Sequence, residues 1–215
     1  MARGDLGDLS GALRSLERAS TLVVEHGGGS YRAGIDTTRS RLWREIGDLD
    51  RATELAESAV EASERGGGAL ELEQGLHAAL ALADCRWAQG RDDEAGQLVE
   101  QARKLFEQPL PFRARAWLRL LEIQARLDPS VAEDLFDRAR EFSSPKYEAL
   151  ALAHLGRAEE AAVVASRTGS DLMVAQLGHR SDALTAIERI AASLPAEMHD
   201  TFIRGGRLVR LFENR

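Results

Sequence analysis

The sequence has a single cysteine, Cys85, among 215 residues, which excludes an internal disulfide and is typical of a reducing compartment. No apolar run approaches the roughly 18–20 residues that a membrane-spanning helix needs. The N-terminal segment MARGDLGDLS lacks the apolar core of a signal peptide. These absences predict a cytoplasmic protein without a membrane partner.

Basic residues are fewer than acidic ones: the chain has 28 Lys and Arg and 35 Asp and Glu, which gives a net charge of −7. Contacts with phosphates need a basic surface, so a nucleic-acid partner is not expected. Aromatic residues make up only 5% of the chain and there are five prolines, whereas Ala and Leu are abundant. Ala and Leu lose little conformational freedom in a helix, so this composition predicts a helical protein.

Sequence motifs for catalysis and cofactor binding are missing. The chain has neither a phosphate-binding Gly-x-x-x-x-Gly-Lys-Ser/Thr nor a dinucleotide-binding Gly-x-Gly-x-x-Gly after a strand. It has no His-Glu-x-x-His and no cysteine pair, and its histidines are scattered, so no metal site is expected. The acidic stretches RDDEA (91–95) and AEE (158–160) fall at predicted helix starts, where acids favour the positive helix end. We therefore expect neither an enzyme nor a cofactor.

Two triple-glycine stretches, EHGGGSYRAG (25–34) and ERGGGALELE (64–73), lie 39 residues apart. His-Gly-Gly-Gly also occurs in the oxyanion hole of some lipases, but that chemistry needs a nucleophile on a Gly-x-Ser-x-Gly turn, which is absent here. Both stretches fall where a helix of the repeat described below should end. His26 and Arg65 then occupy last turns, where a cation suits the negative helix end. The glycines are interpreted as helix terminators.

A helical repeat is indicated by five similar segments. Each begins with Gly, continues with a polar run, and has Ala five residues after the Gly; the segments are GDLSGALRSLERAS (7–20), GDLDRATELAESAV (47–60), GRDDEAGQLVEQAR (90–103), GRAEEAAVVASRTG (156–169) and GHRSDALTAIERIA (178–191). LDPSVAEDLFDRAR (127–140) is a weaker copy without Gly. Apolar residues recur at helical spacing ahead of each Gly, in 31–46, 70–89, 111–127 and 146–155. The repeated unit is therefore predicted to be helix–turn–helix.

Three residue types define the predicted unit. Gly47, Gly90, Gly156 and Gly178 end one helix, in a left-handed or unhindered conformation. Polar residues cap the next helix, as predicted for Asp48, Asp92 and Ser181. Small residues allow the two helices to approach closely; these are Ala52, Ala95, Ala132, Ala161 and Ala183.

The segments GDLDRATELAESAV and GRDDEAGQLVEQAR resemble the second helix of the tetratricopeptide repeat. The resemblance covers about three quarters of the chain and implies an all-α fold, a right-handed α-solenoid of antiparallel helix pairs. The spacings depart from the family period, since Gly7 to Gly47 is 40 residues and Gly47 to Gly90 is 43. We expect one domain over 1–215: a main array of irregular repeats of about 35–43 residues over 1–168, then a short irregular repeat and closing helices over 169–215. Ten to twelve helices, and more than about 65% helix by circular dichroism, are expected.

In that family the first helix of each pair lines a concave groove, which implies a binding surface. The implied groove residues are Thr37, Arg41, Arg44, His77, Leu80, Asp84, Trp87, Trp117, Leu121, Gln124 and Lys146. The expected function is non-catalytic binding of a protein or peptide, as the sensory arm of a larger bacterial signalling ATPase or transcription regulator. The alternative is a small-molecule sensor with an enclosed apolar pocket, in which case Trp87 and Trp117 would face a closed cavity. The two tryptophans could equally be ordinary inter-helix packing, and Arg41 and Arg44 a solvated stripe.

At the N-terminus, segment 7–20 reads as a second helix without its first-helix partner. Leu9, Leu13 and Leu16 would then form an apolar stripe that one following repeat cannot cover. The expectation is that the chain is a fragment of a longer protein or a homodimer through this end.

Overall fold

The computed structural model describes residues 2–65, 69–106 and 113–208, leaving aside the side chains of residues 2, 3, 69 and 113. Helix accounts for 86% of these residues, and no strand occurs among them. They form thirteen α-helices: α1 Ala2–Leu6, α2 Leu9–His26, α3 Arg32–Ile46, α4 Leu49–Glu64, α5 Ala69–Ala88, α6 Asp92–Leu105, α7 Arg113–Leu127, α8 Ala132–Glu141, α9 Pro145–His154, α10 Ala158–Arg167, α11 Asp171–Leu177, α12 Arg180–Ala192 and α13 Ala196–Gly205. The all-α class is confirmed.

Consecutive helices pack against each other from α1 to α13, and the predicted first helices correspond to α3, α5, α7 and α9. The alanines placed at the helix contacts are all fully or almost fully buried. Their missing side-chain bulk is what lets the helix axes approach, as the repeat pattern predicted.

The turns follow the predicted chemistry in part. Gly47, Gly90 and Gly156 have positive φ angles, and Asp48 Oδ1 accepts a hydrogen bond from the backbone N–H of Arg51 at 3.1 Å. Gly178 is different, with φ −65° and ψ 167°, an extended conformation in which a Cβ would lie only 2.5 Å from the carbonyl oxygen of Val174.

Two predicted caps are wrong. Asp92 is the first residue of α6, and Ser181 is the second residue of α12. The N-cap positions of these helices are occupied by Arg91 and His179 instead. α2 ends at His26, and the following Gly27 has the left-handed conformation expected of a glycine that terminates a helix. The second triple glycine, Gly66–Gly68, lies outside the described residues.

The two ends of the chain pack together. α1 contacts α11, and α13 contacts α3. Lys146 Nζ of α9 donates to Asp5 Oδ1 of α1 at 2.8 Å, and Arg207 Nη1 donates to Glu45 Oε1 of α3 at 2.8 Å. Residues more than 140 positions apart in the sequence are thereby joined.

One hydrophobic cluster joins the N-terminal and C-terminal helices. It combines α2, α3, α12 and α13 through Leu9, Leu13, Trp43, Ile46, Ile187, Ile190, Phe202 and others. The prediction of an uncovered N-terminal stripe is therefore wrong for Leu9 and Leu13, which are fully and almost fully buried inside this cluster, with Leu16 partly buried against it. The distant C-terminal helices supply the cover that the neighbouring repeat could not.

None of the described helices is both long and apolar enough to cross a bilayer.

Candidate functional site

A cluster of five charged side chains, none more than 11% exposed, occupies the space between α3, α5 and α7. We call it the central charged cluster; it consists of Arg44, Asp84, Arg119, Glu122 and Arg126. Asp84 accepts from Arg44 Nη2 at 2.8 Å, from Arg119 Nη2 at 2.9 Å and from Arg126 Nη1. Glu122 accepts from Arg119 Nη1 at 2.7 Å and from Arg126 Nη2. Three cations and two anions are thus held together away from water.

The arginines dominate the electrostatics of the two carboxylates. Burial alone would raise the pKa of Asp84, but the adjacent Arg126, Arg44 and Arg119 guanidinium groups outweigh it and hold that pKa well below its ordinary value. The same balance lowers the pKa of Glu122 to about 2. Both side chains are therefore charged near neutral pH, which makes them unsuited to general acid–base catalysis.

Arg44 is the least well satisfied member of this cluster. Burial lowers its pKa to about 10 in spite of Asp84 beside it. Its Nε and Nη1 atoms are buried without a hydrogen-bond partner among the described residues. The sequence placed Arg44 on an accessible groove, whereas the structure leaves it 5% exposed, so it cannot meet a partner there.

A small cavity lies between this cluster and the joined ends of the chain. We call it the end cavity; it measures about 50 Å³. Its charged lining residues are Asp5, Arg41, Glu45, Asp84, Arg119, Glu122, Arg126, Lys146 and Arg207. Four of its lining residues come from α1 and α2, namely Gly4, Asp5, Leu9 and Ala12. The packing of the two ends therefore closes what an open array of first helices would expose.

A second cavity, of about 80 Å³, adjoins the first and shares Thr38, Arg41 and Arg119 with it. We call it the arginine cavity. Its lining residues are Gly34, Thr37, Thr38, Arg41, Gln74, His77, Arg115, Arg119 and Tyr147. Burial and the charges of Arg41, Arg115 and Arg119 lower the pKa of His77 to about 4, so its imidazole is neutral at pH 7. Among the described residues, three guanidinium groups and no carboxylate line this cavity.

Besides Arg44 and the two tryptophans, the predicted groove residues divide into three groups. Thr37, Arg41, His77, Asp84 and Lys146 line one or both cavities. Leu80 and Leu121 are buried in the hydrophobic core, so the prediction that they are accessible is wrong. Gln124 is partly exposed and lines neither cavity.

Neither predicted tryptophan lines the two cavities. Trp117 packs between two hydrophobic clusters, with its ring edge-on to Phe106 at a centroid distance of 5.0 Å. Trp87 is partly exposed beneath the guanidinium of Arg126, 5.3 Å from the ring centroid. Ordinary packing accounts for Trp117, and Trp87 supports an arginine of the central charged cluster.

Sequence reasoning missed the cavity-lining face of α7. It chose Trp117, Leu121 and Gln124, which recur at four- and three-residue steps on a mainly apolar face. The face that lines the cavities carries Arg115, Arg119, Glu122 and Arg126, which recur at steps of four, three and four residues. A charged stripe at helical spacing normally indicates a solvated surface. The spacing of these charged residues was therefore visible in the sequence, but the usual rule assigned them to solvent.

The remaining chemistry of the described residues is sparse. Cys85 is buried, and burial together with Asp84 raises the pKa of its thiol, which disfavours the reactive thiolate. No group of three His, Cys, Asp or Glu side chains in the described part of the chain could hold a metal ion. What the arrangement can do is bind: it presents fixed cationic donors inside a partly closed space.

No protein-family model matches the chain, and no curated protein is significantly similar to it in sequence. The interpretation of the two cavities therefore depends on their own residues and geometry.

Proposed function

We propose that the chain is a non-catalytic sensory domain that binds a small polar ligand between its first helices. The observation that carries this proposal is the pair of adjoining cavities, lined by α3, α5, α7 and α9 and closed on one side by the terminal helices. Their charged lining favours a polar effector over the apolar one expected from the sequence. Their volumes suit a compact molecule better than a peptide helix about 10 Å across.

The wider context of the proposal comes from the resemblance to tetratricopeptide repeats. On this proposal the helix pairs form a right-handed TPR-like solenoid, and the domain is the cytoplasmic sensory arm of a bacterial signalling or transcription-regulating protein. A ligand held beside Asp5, Glu45, Lys146 and Arg207 would contact the residues that join the ends of the chain. Ligand binding would then change how firmly the two ends hold together, which is a signal that an attached domain can read.

A thermal-shift screen of chemically diverse small molecules against the purified chain tests this function. The expected hit raises the melting temperature, because binding to the native state alone stabilises it. It should also slow hydrogen exchange in α3, α7 and α11.

Gly34 provides a matched pair of variants for the same screen. A Cβ at Gly34, which lines the arginine cavity, would meet Gln74 Cδ at an ordinary 3.6 Å, so Gly34→Ala should fold and bind. Gly34→Met should fill the cavity and abolish the shift. A hit that stabilises both variants equally, or a screen without any hit, would contradict the proposal.

A protein partner is a second candidate, supported by the second half of α2. Leu22 and Val24 are 53% and 75% exposed there, and Tyr31 just beyond is 60% exposed. If the chain forms a homodimer through its N-terminal region, these residues and not the buried Leu9 and Leu13 are the accessible apolar surface. Sedimentation of the wild type beside Leu22→Glu with Val24→Glu tests this, since only a dimer held by this surface would dissociate in the variant.

A further inference from the structure

We propose that the arginine cavity is a site for a compact doubly charged oxyanion, a phosphate or dicarboxylate group, gripped by Arg41, Arg115 and Arg119. This inference depends on the proposed sensory function and names the chemistry of its ligand. The shared feature of the two ligand classes is a pair of anionic oxygens within a few ångströms of each other. Guanidinium groups recognise such oxygens through paired, charge-assisted hydrogen bonds.

The donors come from separate helices and surround one space. Arg41 belongs to α3, and Arg115 and Arg119 lie one turn apart on α7. The bonds of Arg119 to Asp84 and Glu122 use two of its five N–H donors and hold the guanidinium in place. Arg115 is exposed, so it stands at the mouth through which a ligand would enter. The site thus has a fixed donor at the back and an adaptable one in front.

Like charges face one another across the arginine cavity. Burial and the neighbouring charges of Arg119 and Arg115 lower the pKa of Arg41, an effect that Tyr147 and Asp5 oppose. A dianion between the guanidinium groups would reduce this repulsion, because like charges are costly to hold close together.

An independent observation points to a ligand in the same space. Thr37 is 6% exposed and lines the arginine cavity, and its Oγ1 is buried without a hydrogen-bond partner among the described residues. Threonine in a helix commonly satisfies its hydroxyl on a preceding carbonyl, as Thr38 does on the carbonyl of Gly34 at 2.8 Å. An anion oxygen in the cavity would accept the Thr37 hydrogen.

The neutral groups of the cavity also favour an anion. The low pKa of His77 has burial and the three surrounding arginines as its causes, so the potential in the cavity is positive. The neutral imidazole keeps one N–H to donate. Gln74 is anchored through Oε1, which accepts from the backbone N–H of Gly34 at 3.2 Å, leaving its amide N–H₂ as a donor. A cationic ligand would find few acceptors here.

The test measures binding of inorganic phosphate and of succinate to the purified chain by titration calorimetry, with chloride at matched ionic strength as the reference. Phosphate binding alone would identify a phosphorylated ligand, and succinate binding alone a carboxylic acid. Binding of both supports a general dianion site. No heat beyond that of chloride from either anion would overturn the proposal.

Three variants locate the site. Arg115→Gln removes the exposed donor without disturbing the core and should weaken binding at least about tenfold, the usual worth of a charged hydrogen bond. Thr37→Val keeps the shape and removes the unsatisfied hydroxyl. It should weaken anion binding about tenfold as well, while the melting temperature of the free protein stays level or rises. The control is Arg65→Gln, an exposed arginine just after α4 that lines neither cavity, and this variant should bind as the wild type does.

The outcomes separate this inference from the function on which it depends. If the unbiased screen finds a neutral or cationic ligand that Gly34→Met abolishes, the sensory function stands and the oxyanion assignment fails. If phosphate or succinate binds equally well to Arg115→Gln, Thr37→Val and the wild type, the anion occupies another surface and the assignment fails too. Loss of binding in both variants, with Arg65→Gln unaffected, is the result expected.

Discussion

Replacing Asp84 by asparagine should be among the most damaging conservative changes available in this chain. Asp84 is 3% exposed and accepts hydrogen bonds from Arg44, Arg119 and Arg126. Asparagine has nearly the same shape, so packing is retained and only the charge is lost. The amide would also turn an N–H₂ donor toward groups that only donate.

The expected loss follows from the charges that remain. A unit charge pair about 4 Å apart contributes roughly 4 kcal/mol at an effective dielectric constant near 20. Three such attractions disappear, partly offset by the lower desolvation cost of a neutral side chain. Removing one partner from a buried ion pair typically costs about 3–5 kcal/mol, because the other charge stays buried. We expect a destabilisation of that size, a large share of the roughly 5–15 kcal/mol that stabilises a typical domain.

Urea unfolding followed by circular dichroism measures this loss. The matched control is Asp137→Asn on the exposed side of α8, which should change the free energy of unfolding by less than about 0.5 kcal/mol. Combining Asp84→Asn with Arg44→Met removes one of the stranded cations and keeps the aliphatic stem. The double variant should therefore lose at least about 1 kcal/mol less than the sum of the two single losses.

Two results would refute this reasoning. If the free energy of unfolding of Asp84→Asn stays within about 1 kcal/mol of that of the control, the stability of the central charged cluster does not depend on the Asp84 carboxylate. Strictly additive losses would show that the cost of Asp84→Asn does not come from unpaired arginine charge.

Three further changes test other parts of the structure. The pKa of His77 is lowered from 6.5 to about 4 in the folded protein, so the unfolded chain binds this proton first as pH falls. The free energy of unfolding of the wild type should therefore fall by about 2–3 kcal/mol between pH 6.5 and pH 4. His77→Gln, measured by unfolding at each pH, should lack this share of the fall. Gly47→Ala should cost roughly 3 kcal/mol or more in the same assay, because its Cβ would lie 2.4 Å from the backbone carbonyl carbon of Gly205. Gly90→Ala is the control, since Gly90 also has a positive φ but open space around it, and it should cost only about 1–2 kcal/mol. Equal costs would contradict the close approach of α3 and α13. Leu13→Glu should destabilise the protein by more than about 4 kcal/mol and Leu22→Glu by almost nothing, because only Leu13 is buried. Similar melting temperatures for the two variants would show that the chain ends do not pack together.

Much of the candidate site could not be read from the sequence, and α7 shows why. Its apolar and charged residues both recur at helical spacing, so periodicity identifies two faces without saying which one points inward. The usual rule assigns the charged face to solvent, but here each arginine of that face meets a carboxylate or a cavity. The partner carboxylate Asp84 lies on α5, 35 residues before Arg119, a distance at which local patterns carry no information.

The local structure of this protein follows from short-range features of its sequence. Ala and Leu content, the three- and four-residue spacing of apolar positions, and glycines at Gly47, Gly90 and Gly156 are short-range features, and they predicted the helices and most of the turns between them. Long-range packing places the C-terminal helices over Leu9 and Leu13, and it brings the arginines of α3 and α7 to one partly closed space. The physical reason is that a helix is stabilised by contacts three and four residues apart, whereas burial and charge pairing depend on which distant helices the whole chain brings together.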